Sequence, residues 1–233
     1  MKSSVFFLLW ISVPLFLSAQ ARTYSDAAQM YNRMLLENGN NVMQIGNFKV
    51  KGTPFLYGGR KQGQIFMNGK NPIQTFLSYN TYEQTIEYSS ASTPDAQLYK
   101  PDGNIDSFTV AKNNEFNINE DILFISGKLI AASDNAFYQQ LERGKKFSLY
   151  KKYKSELAIV STNYVQSDLR QFDLQYEYYY LDIANNKLKK LKTGSGFLKK
   201  EFKEYPIDSI VNDPDFSYDP EKYLKKLFLT VNQ

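Results

Sequence analysis

The sequence contains no histidine and no cysteine among its 233 residues. The first absence excludes the usual general base at neutral pH, the Ser-His-Asp triad and the imidazole ligands of most zinc, copper and iron sites. The second excludes thiol nucleophiles, iron–sulfur ligation, disulfide bonds and the cysteine-linked anchor of a bacterial lipoprotein. Neither a G-x-G-x-x-G fingerprint nor a P-loop is present. These absences favour a protein that binds over one that catalyses, and we expect no cofactor.

The chain also lacks a strong excess of either charge. It has 28 Lys and Arg against 24 Asp and Glu, a formal net charge of +4. A dedicated nucleic-acid-binding domain carries a stronger basic patch. We therefore expect no nucleic-acid partner.

The opening segment "MKSSVFFLLWISVPLFLSAQARTYSD" has the three parts of a secretory signal. Lys2 is the positive start, the apolar run extends from Val5 to Leu17, and Ala19-Gln20-Ala21 is typical of a cleavage site. We expect a signal peptide at 1–21 and a mature protein from Arg22. No later apolar run is long enough for a transmembrane segment. The expected location is the periplasm, the cell surface or the cell envelope, without a lipid anchor.

The hydrophobic period changes twice along the rest of the chain, and we interpret 22–233 as one domain. A short helix is expected in 22–41, a period of two indicates an antiparallel sheet in 42–193, and a helical period returns in 194–233. The stretch "GQIFMNGKNPIQTFLSYNTYEQTIEYSS" reads as three strands joined by tight turns. The predicted fold is mainly β with helical ends (α+β), an antiparallel meander forming a sheet, a roll or a partly open barrel.

The segment "DPEKYLKKLFLTV" is the clearest helix in the sequence. Asp219 is the predicted N-cap and Pro220 the first helical residue. The apolar stripe consists of Tyr223, Leu224, Leu227, Phe228 and Val231. We expect this stripe to pack on the sheet; if it is exposed instead, Tyr223, Leu227 and Phe228 become the candidate partner-binding residues.

The chain resembles secreted β-rich envelope proteins of Gram-negative bacteria. The resemblance lies in the signal peptide, the strand–turn unit "GQIFMNGKNPIQTFLSYNTYEQTIEY", the strands "GNIDSF" and "FSLYKKYK" and the tail "YLKKLFLTVN". It implies secretion and a β-rich fold. It assigns no activity, so no functional residue is carried over from it.

A row of tyrosines in "LQYEYYYLDI" is the candidate ligand site. A strand places Leu174, Tyr176, Tyr178 and Tyr180 on one face. Tyr176, Tyr178 and Tyr180 could stack on sugar rings, since a tyrosine offers an apolar ring with a polar tip. The alternative is that they pack inside the sheet.

Carboxylates offer two further hypotheses. Glu87, Glu177 and Asp182 lie on predicted strands where a glycosidase-like pair would have to be built. Alternating oxygens at Asp102, Asn104 and Asp106, and at Asp213, Asp215 and Asp219, resemble a calcium loop. Turns and helix caps explain the same aspartates, so we expect no metal.

Lysines concentrate in the last predicted hairpin and the first tail helix. They are Lys187, Lys189, Lys190, Lys192, Lys199, Lys200 and Lys203. Such a cluster could contact anionic lipid or polysaccharide. It is equally typical of an edge strand protected from pairing with other chains.

The sequence thus predicts a secreted, non-enzymatic binding or assembly protein of the cell envelope, with an envelope protein or a glycan as partner. One alternative is a glycan-binding module that uses the tyrosine row, and another is a carboxylate-based hydrolase. A cleft with facing carboxylates would favour the hydrolase, a flat aromatic strip the glycan-binding module, and a filled core the assembly protein.

Overall fold

The computed structural model of the protein describes residues 47–89, 105–160 and 169–233, together with 22–23, 35, 39, 43–45 and 98–100. The expected signal peptide lies outside these residues, and so does most of the helix expected at 22–41. Arg22 and Thr23 belong to a strand rather than to that helix, because they pair with Lys100 and Tyr99.

The described elements are mostly strands, and the helices follow at the end. The strands are β1 Arg22–Thr23, β2 Met43–Ile45, β3 Phe48–Lys51, β4 Lys61–Phe66, β5 Ile73–Asn80, β6 Thr85–Ser89, β7 Leu98–Lys100, β8 Ser107–Val110, β9 Ile122–Ser126, β10 Phe137–Glu142, β11 Phe147–Ile159, β12 Leu169–Asp182 and β13 Lys187–Leu191. The helices are α1 Ser195–Glu201, α2 Asp208–Val211 and α3 Pro220–Val231. The prediction of a mainly β fold is confirmed, and so are its helices at the C-terminal end.

The strands form one sheet with the neighbour order β1-β7-β6-β5-β4-β8-β9-β10-β11-β12-β3-β2, and β13 pairs with β12 as well. The described pairs are antiparallel except for β3 with β12, which run parallel. The expected antiparallel sheet is therefore a mixed one. The reason is that β3 reaches β12 from far away in the chain, so no hairpin turn fixes its direction.

The sheet curls because the segment after β3 crosses to the end of β5. The Leu56 N–H donates to the Tyr79 carbonyl at 2.9 Å, and the Thr81 N–H donates to the Pro54 carbonyl at 2.8 Å. The Ser155 N–H of β11 then donates to the Thr81 carbonyl at 3.0 Å. This curl encloses a first core, whose members include Ile65, Leu77, Tyr79, Phe108, Phe124, Phe137 and Tyr153.

A second core lies between the helices and the inner face of β10 to β13. It joins Leu149, Tyr180 and Leu191 of the sheet to the buried faces of the three helices. The Asp219 carboxylate accepts a hydrogen bond from the Lys222 N–H at 3.1 Å and caps α3, as predicted. The expected packing of the α3 stripe on the sheet is confirmed.

Asn232 fixes the end of α3 to the turn between β10 and β11. Its side-chain oxygen accepts from the Lys146 and Phe147 N–H groups, both at 2.9 Å. Its side-chain amide donates to the Phe147 carbonyl at 2.9 Å and to the Phe228 carbonyl at 2.6 Å. This one side chain thus satisfies backbone groups at both a helix end and a strand start.

Strand β12 is the centre of the arrangement because it has three neighbours. One edge pairs with β11 along its whole length. The opposite edge pairs with β3 over Leu169–Gln171 and with β13 over Tyr178–Asp182. Among the described strands, none pairs with residues 172–177 on that edge.

Candidate binding surface

The tyrosine row of β12 runs from the second core out to solvent. Tyr180 and Tyr178 are 1% and 5% exposed, whereas Tyr176 and Leu174 are 51% and 48% exposed. The difference arises because the helices cover only the end of β12 that carries Tyr178 and Tyr180. Of the three predicted ligand-binding tyrosines, the structure leaves only Tyr176 accessible as a surface.

The rings in this row meet edge to face. Tyr176 and Tyr178 have centroids 5.5 Å apart and planes inclined by 69°, and Tyr153 and Tyr176 have centroids 6.5 Å apart and planes inclined by 63°. This geometry is favourable between aromatic rings. It does not form the flat strip on which sugar rings stack.

Lys151 lies among these rings and fixes their arrangement. Its ammonium nitrogen is 4.2 Å from the centroid of Tyr176 and 5.0 Å from that of Tyr153. The same nitrogen forms a 2.7 Å salt bridge with Glu221 of α3. Cation–π attraction and a charge-assisted hydrogen bond therefore connect the sheet to the first turn of the helix.

We call the concave surface around Tyr176 the tyrosine trough. Tyr176, Tyr178 and Pro220 are common to two adjoining depressions of about 650 and 500 Å³. The wall from α3 carries Lys222 and Lys226, and the opposite wall carries Lys192. These three lysines form no ion pair with any described residue, so the trough has an excess of positive charge.

Tyr57 has an unusual backbone conformation beside the trough. Its φ is +62°, in the left-handed region that a bulky side chain avoids. The conformation belongs to a turn closed by a 3.0 Å hydrogen bond from the Gly58 N–H to the Phe55 carbonyl. The sequence analysis missed Tyr57, although the glycine after it was an available signal of a turn.

The Tyr57 side chain hydrogen-bonds to Tyr153, and the Tyr153 hydroxyl donates to the Gln139 side-chain oxygen at 2.9 Å. Burial is the main cause that raises the pKa of both tyrosines above the ordinary value. Both hydroxyls therefore remain protonated donors at neutral pH. The strained turn at Tyr57 is held by this hydrogen-bond chain.

Because of this strain, we expect glycine to be more stable than alanine at position 57, the reverse of the usual order. Tyr57→Ala and Tyr57→Gly both remove the ring, but only Gly adopts positive φ without penalty. Alanine in the left-handed region costs about 1–2 kcal/mol. Part of this is offset because glycine loses more conformational entropy than alanine on folding. The free energy of unfolding of Tyr57→Ala should therefore be about 0.5–1 kcal/mol lower than that of Tyr57→Gly. Urea denaturation measures the difference. Tyr218 is the control, since its φ is −85°. There we expect Tyr218→Ala to be more stable than Tyr218→Gly. If alanine and glycine rank in the same order of stability at both positions, Tyr57 is not strained.

The three residues predicted to bind a partner lie in the interior. Tyr223 is 7% exposed, and Leu227 and Phe228 are 0% exposed. The Tyr223 hydroxyl donates to Asp213 at 2.9 Å. Because α3 packs this face on the sheet, the side chains contribute to the core rather than to a surface for a partner.

The candidate catalytic carboxylates lie apart. Glu87 is buried on β6, at 1% exposure. Glu177 lies on the outer face of β12, where the Lys190 ammonium at 2.5 Å and the Tyr179 hydroxyl at 2.6 Å hold its pKa below the ordinary value. Asp182 accepts from the Asn185 side chain at 2.8 Å in the following turn. The structure brings no two of these three together.

Two of the candidate calcium aspartates, Asp213 and Asp219, act as helix caps. Asp213 accepts from the Asp215 N–H at 3.0 Å, and Asp219 caps α3. Asp102 and Asn104 lie outside the described residues. Within the described ranges, no group of three acidic side chains is placed to hold a metal ion.

The lysine cluster lies along β13 and α1. Lys190 pairs with Glu177, Lys189 with Glu201 at 3.1 Å, and Lys199 with Asp208 at 3.0 Å. In the described part of the chain, β13 pairs only with β12, so its lysines lie on an edge strand. This position agrees with edge protection.

Two broader findings accompany the site. In the part of the chain that the structure describes, no helix has the length and apolar character needed to cross a membrane. No family model, no curated protein and no solved structure matches the chain.

Proposed function

We propose that this chain is a non-enzymatic binding protein exported to the cell envelope, and that it docks a partner in the tyrosine trough. Export is supported by the signal-like segment at 1–21, and a binding role by the absence of histidine and cysteine. The observation that carries the proposal is Tyr176. It is half exposed at the open end of an aromatic row whose other tyrosines are buried.

The trough has the features of a docking surface. Tyrosine is enriched at the centres of interfaces, and a rigid ring orders there at low entropic cost. Tyr176 is already fixed by Lys151, which is itself held by Glu221. A partner would therefore meet a surface that needs little reorganisation.

The ring geometry favours a protein partner over a glycan. A sugar-stacking platform presents coplanar ring faces, whereas Tyr176 and Tyr178 meet at 69°. The separation of Glu87, Glu177 and Asp182 gives no support to the hydrolase alternative. Both cores are built from buried apolar side chains, which is the arrangement we associate with an assembly protein.

The test is binding to an envelope fraction of the source cells. We expect the purified chain to co-sediment with that fraction and Tyr176→Ala to weaken binding by about 30-fold, as for an aromatic hot spot of about 2 kcal/mol. Leu129→Ala is the control, since Leu129 is 58% exposed on a separate surface. Equal binding by Tyr176→Ala and the unsubstituted chain, with unchanged melting temperatures, would show that the trough is not the site.

A further inference from the structure

The unpaired part of the β12 edge reaches the tyrosine trough at Tyr176 and Glu177. On this edge β3 ends its pairing at Gln171 and β13 begins its pairing at Tyr178. The intervening residues, 172–177, contain both exposed apolar side chains of the row, Leu174 and Tyr176. An exposed apolar edge is unusual, because sheet edges attract other strands and proteins normally protect them.

The hydrogen bonds at the two ends of the β11–β12 pair show which backbone groups face this opening. The Ile183 N–H donates to the Lys146 carbonyl at 3.0 Å, and the Val160 N–H donates to the Leu169 carbonyl at 3.3 Å. Antiparallel pairs alternate, and the register between these ends is unbroken. Odd-numbered residues of β12 therefore bond to β11, and even-numbered residues direct their N–H and C=O groups to the other edge.

Leu174 and Tyr176 consequently offer two kinds of contact at once. Their N–H and C=O groups face the opening, and their side chains are half exposed, with Tyr176 in the trough and Leu174 beyond it along the strand. The backbone groups require an extended polypeptide as partner, since a strand matches their spacing. The apolar side chains require apolar residues at alternate positions of that strand.

We propose that an extended segment of a partner protein binds between β3 and β13 as an added strand on β12. This inference rests on the proposed function, because it names the class of partner that the trough receives. Phe172 is 8% exposed and its backbone lies beside Gly52, which follows β3. The opening that a strand can enter therefore spans the five residues 173–177, or about 17 Å of strand. The β12 edge of a second copy does not fit, because its own β3 and β13 flank its β12 on the same side.

The charges around the opening define the partner further. Lys192, Lys222 and Lys226 line the trough without an ion pair to any described residue. Lys51 ends β3 at the other side of the opening and is exposed. The segment that fits is one with alternating apolar residues and with Asp or Glu near its ends.

The experiment uses a displayed library of random seven-residue peptides selected on the full chain. We expect enrichment of peptides with alternating apolar residues and acidic ends. In synthetic versions, N-methylation at the alternate residues whose amides face β12 should weaken binding at least tenfold, and N-methylation at the residues between should not. Bound peptide should slow amide hydrogen exchange at Leu174 and Tyr176 at least tenfold, because these are the amides that the added strand covers.

Leu174→Pro and Leu174→Ala form the matched pair. Proline removes the N–H that faces the opening and leaves the bonds to β11, whereas alanine keeps that N–H. We expect Leu174→Pro to abolish peptide binding and Leu174→Ala to retain part of it. If Leu174→Pro does not fold, the N-methylated peptides and the exchange measurement decide the question.

Each other outcome is distinguishable. If peptides bind equally well when N-methylated at any position, docking uses side chains alone and the inference fails while the trough remains the site. The inference also fails, and the trough again remains the site, if no peptide is enriched but neutral or acidic oligosaccharides bind in a Tyr176-dependent manner. Peptide binding that is insensitive to both Tyr176→Ala and Leu174→Pro would overturn the proposed function as well.

Discussion

Leu227→Ala is expected to lower the free energy of unfolding by about 2–5 kcal/mol, the range for a large-to-small change in a packed core. Leu227 is 0% exposed between α3 and the sheet. The neighbouring Phe228 ring packs against Phe202 at 5.6 Å and Tyr180 at 6.1 Å. These rings hold their positions by mutual contact, so the site collapses little around a cavity. Each kcal/mol corresponds to about 2–4 °C of melting temperature in a chain of this size.

Lys226→Ala is the control for this substitution. It lies next in sequence on the solvent side of the same helix and is exposed. We expect a change within about 0.5 kcal/mol, because the substitution lies away from caps and buried contacts. Thermal unfolding followed by circular dichroism measures both variants. Equal melting temperatures for Leu227→Ala and Lys226→Ala would mean that α3 does not pack on the sheet in solution.

Gly63→Ala is expected to destabilise the first core by at least about 3 kcal/mol, at the upper end of overpacking costs. A Cβ atom at Gly63 would lie 1.9 Å from the Thr109 carbonyl oxygen and 3.0 Å from a methyl group of Leu77. The first of these atoms belongs to the backbone of the neighbouring β8 and has no rotamer by which to move away. Strands β4 and β8 must therefore separate to admit one methyl group.

The matched control is Gly196→Ala, the same chemical change with the opposite expected sign. Gly196 lies in α1, and nothing lies within 4 Å of its added Cβ. Alanine is a better helix former than glycine, so we expect a gain of up to about 1 kcal/mol. Urea denaturation compares the two variants. A stable Gly63→Ala protein would show that β4 and β8 are not held at this close approach.

Local patterns predicted the elements well wherever a turn residue or a cap fixed them. The strands β4, β5 and β6 occur where the period of two indicated. In the turn of the last hairpin, Asn186 adopts a φ of +46°, a conformation that asparagine tolerates. Asp219 and Pro220 begin α3 as predicted. At α1 the N-cap is Gly194, without a side-chain hydrogen bond, although Ser195, the first helical residue, is the more usual type of cap.

Features that depend on distant parts of the chain were not predictable from these patterns. The parallel pairing of β3 with β12 and the opening beside it arise from tertiary contacts that leave no mark on the period of either strand. The tyrosine row was identified as one face of a strand, but the burial of Tyr178 and Tyr180 depends on the helices above them. The strain at Tyr57 follows from the path of a crossing segment rather than from its residue type.

The position of β12 among three neighbours has a consequence for the order of folding. Its pairing with β13 needs only a short turn, whereas Lys49 and Leu169 pair although about 120 residues separate them. Loop closure over that distance is slow, so β3 should join after the local hairpins have formed. Until it does, the free edge of β12 extends over residues 169–177 and presents a longer template for aggregation. A partner strand that fits only the shorter native opening would bind the native protein and not these intermediates. By mass action, its binding would shift the equilibrium from late intermediates to the native fold.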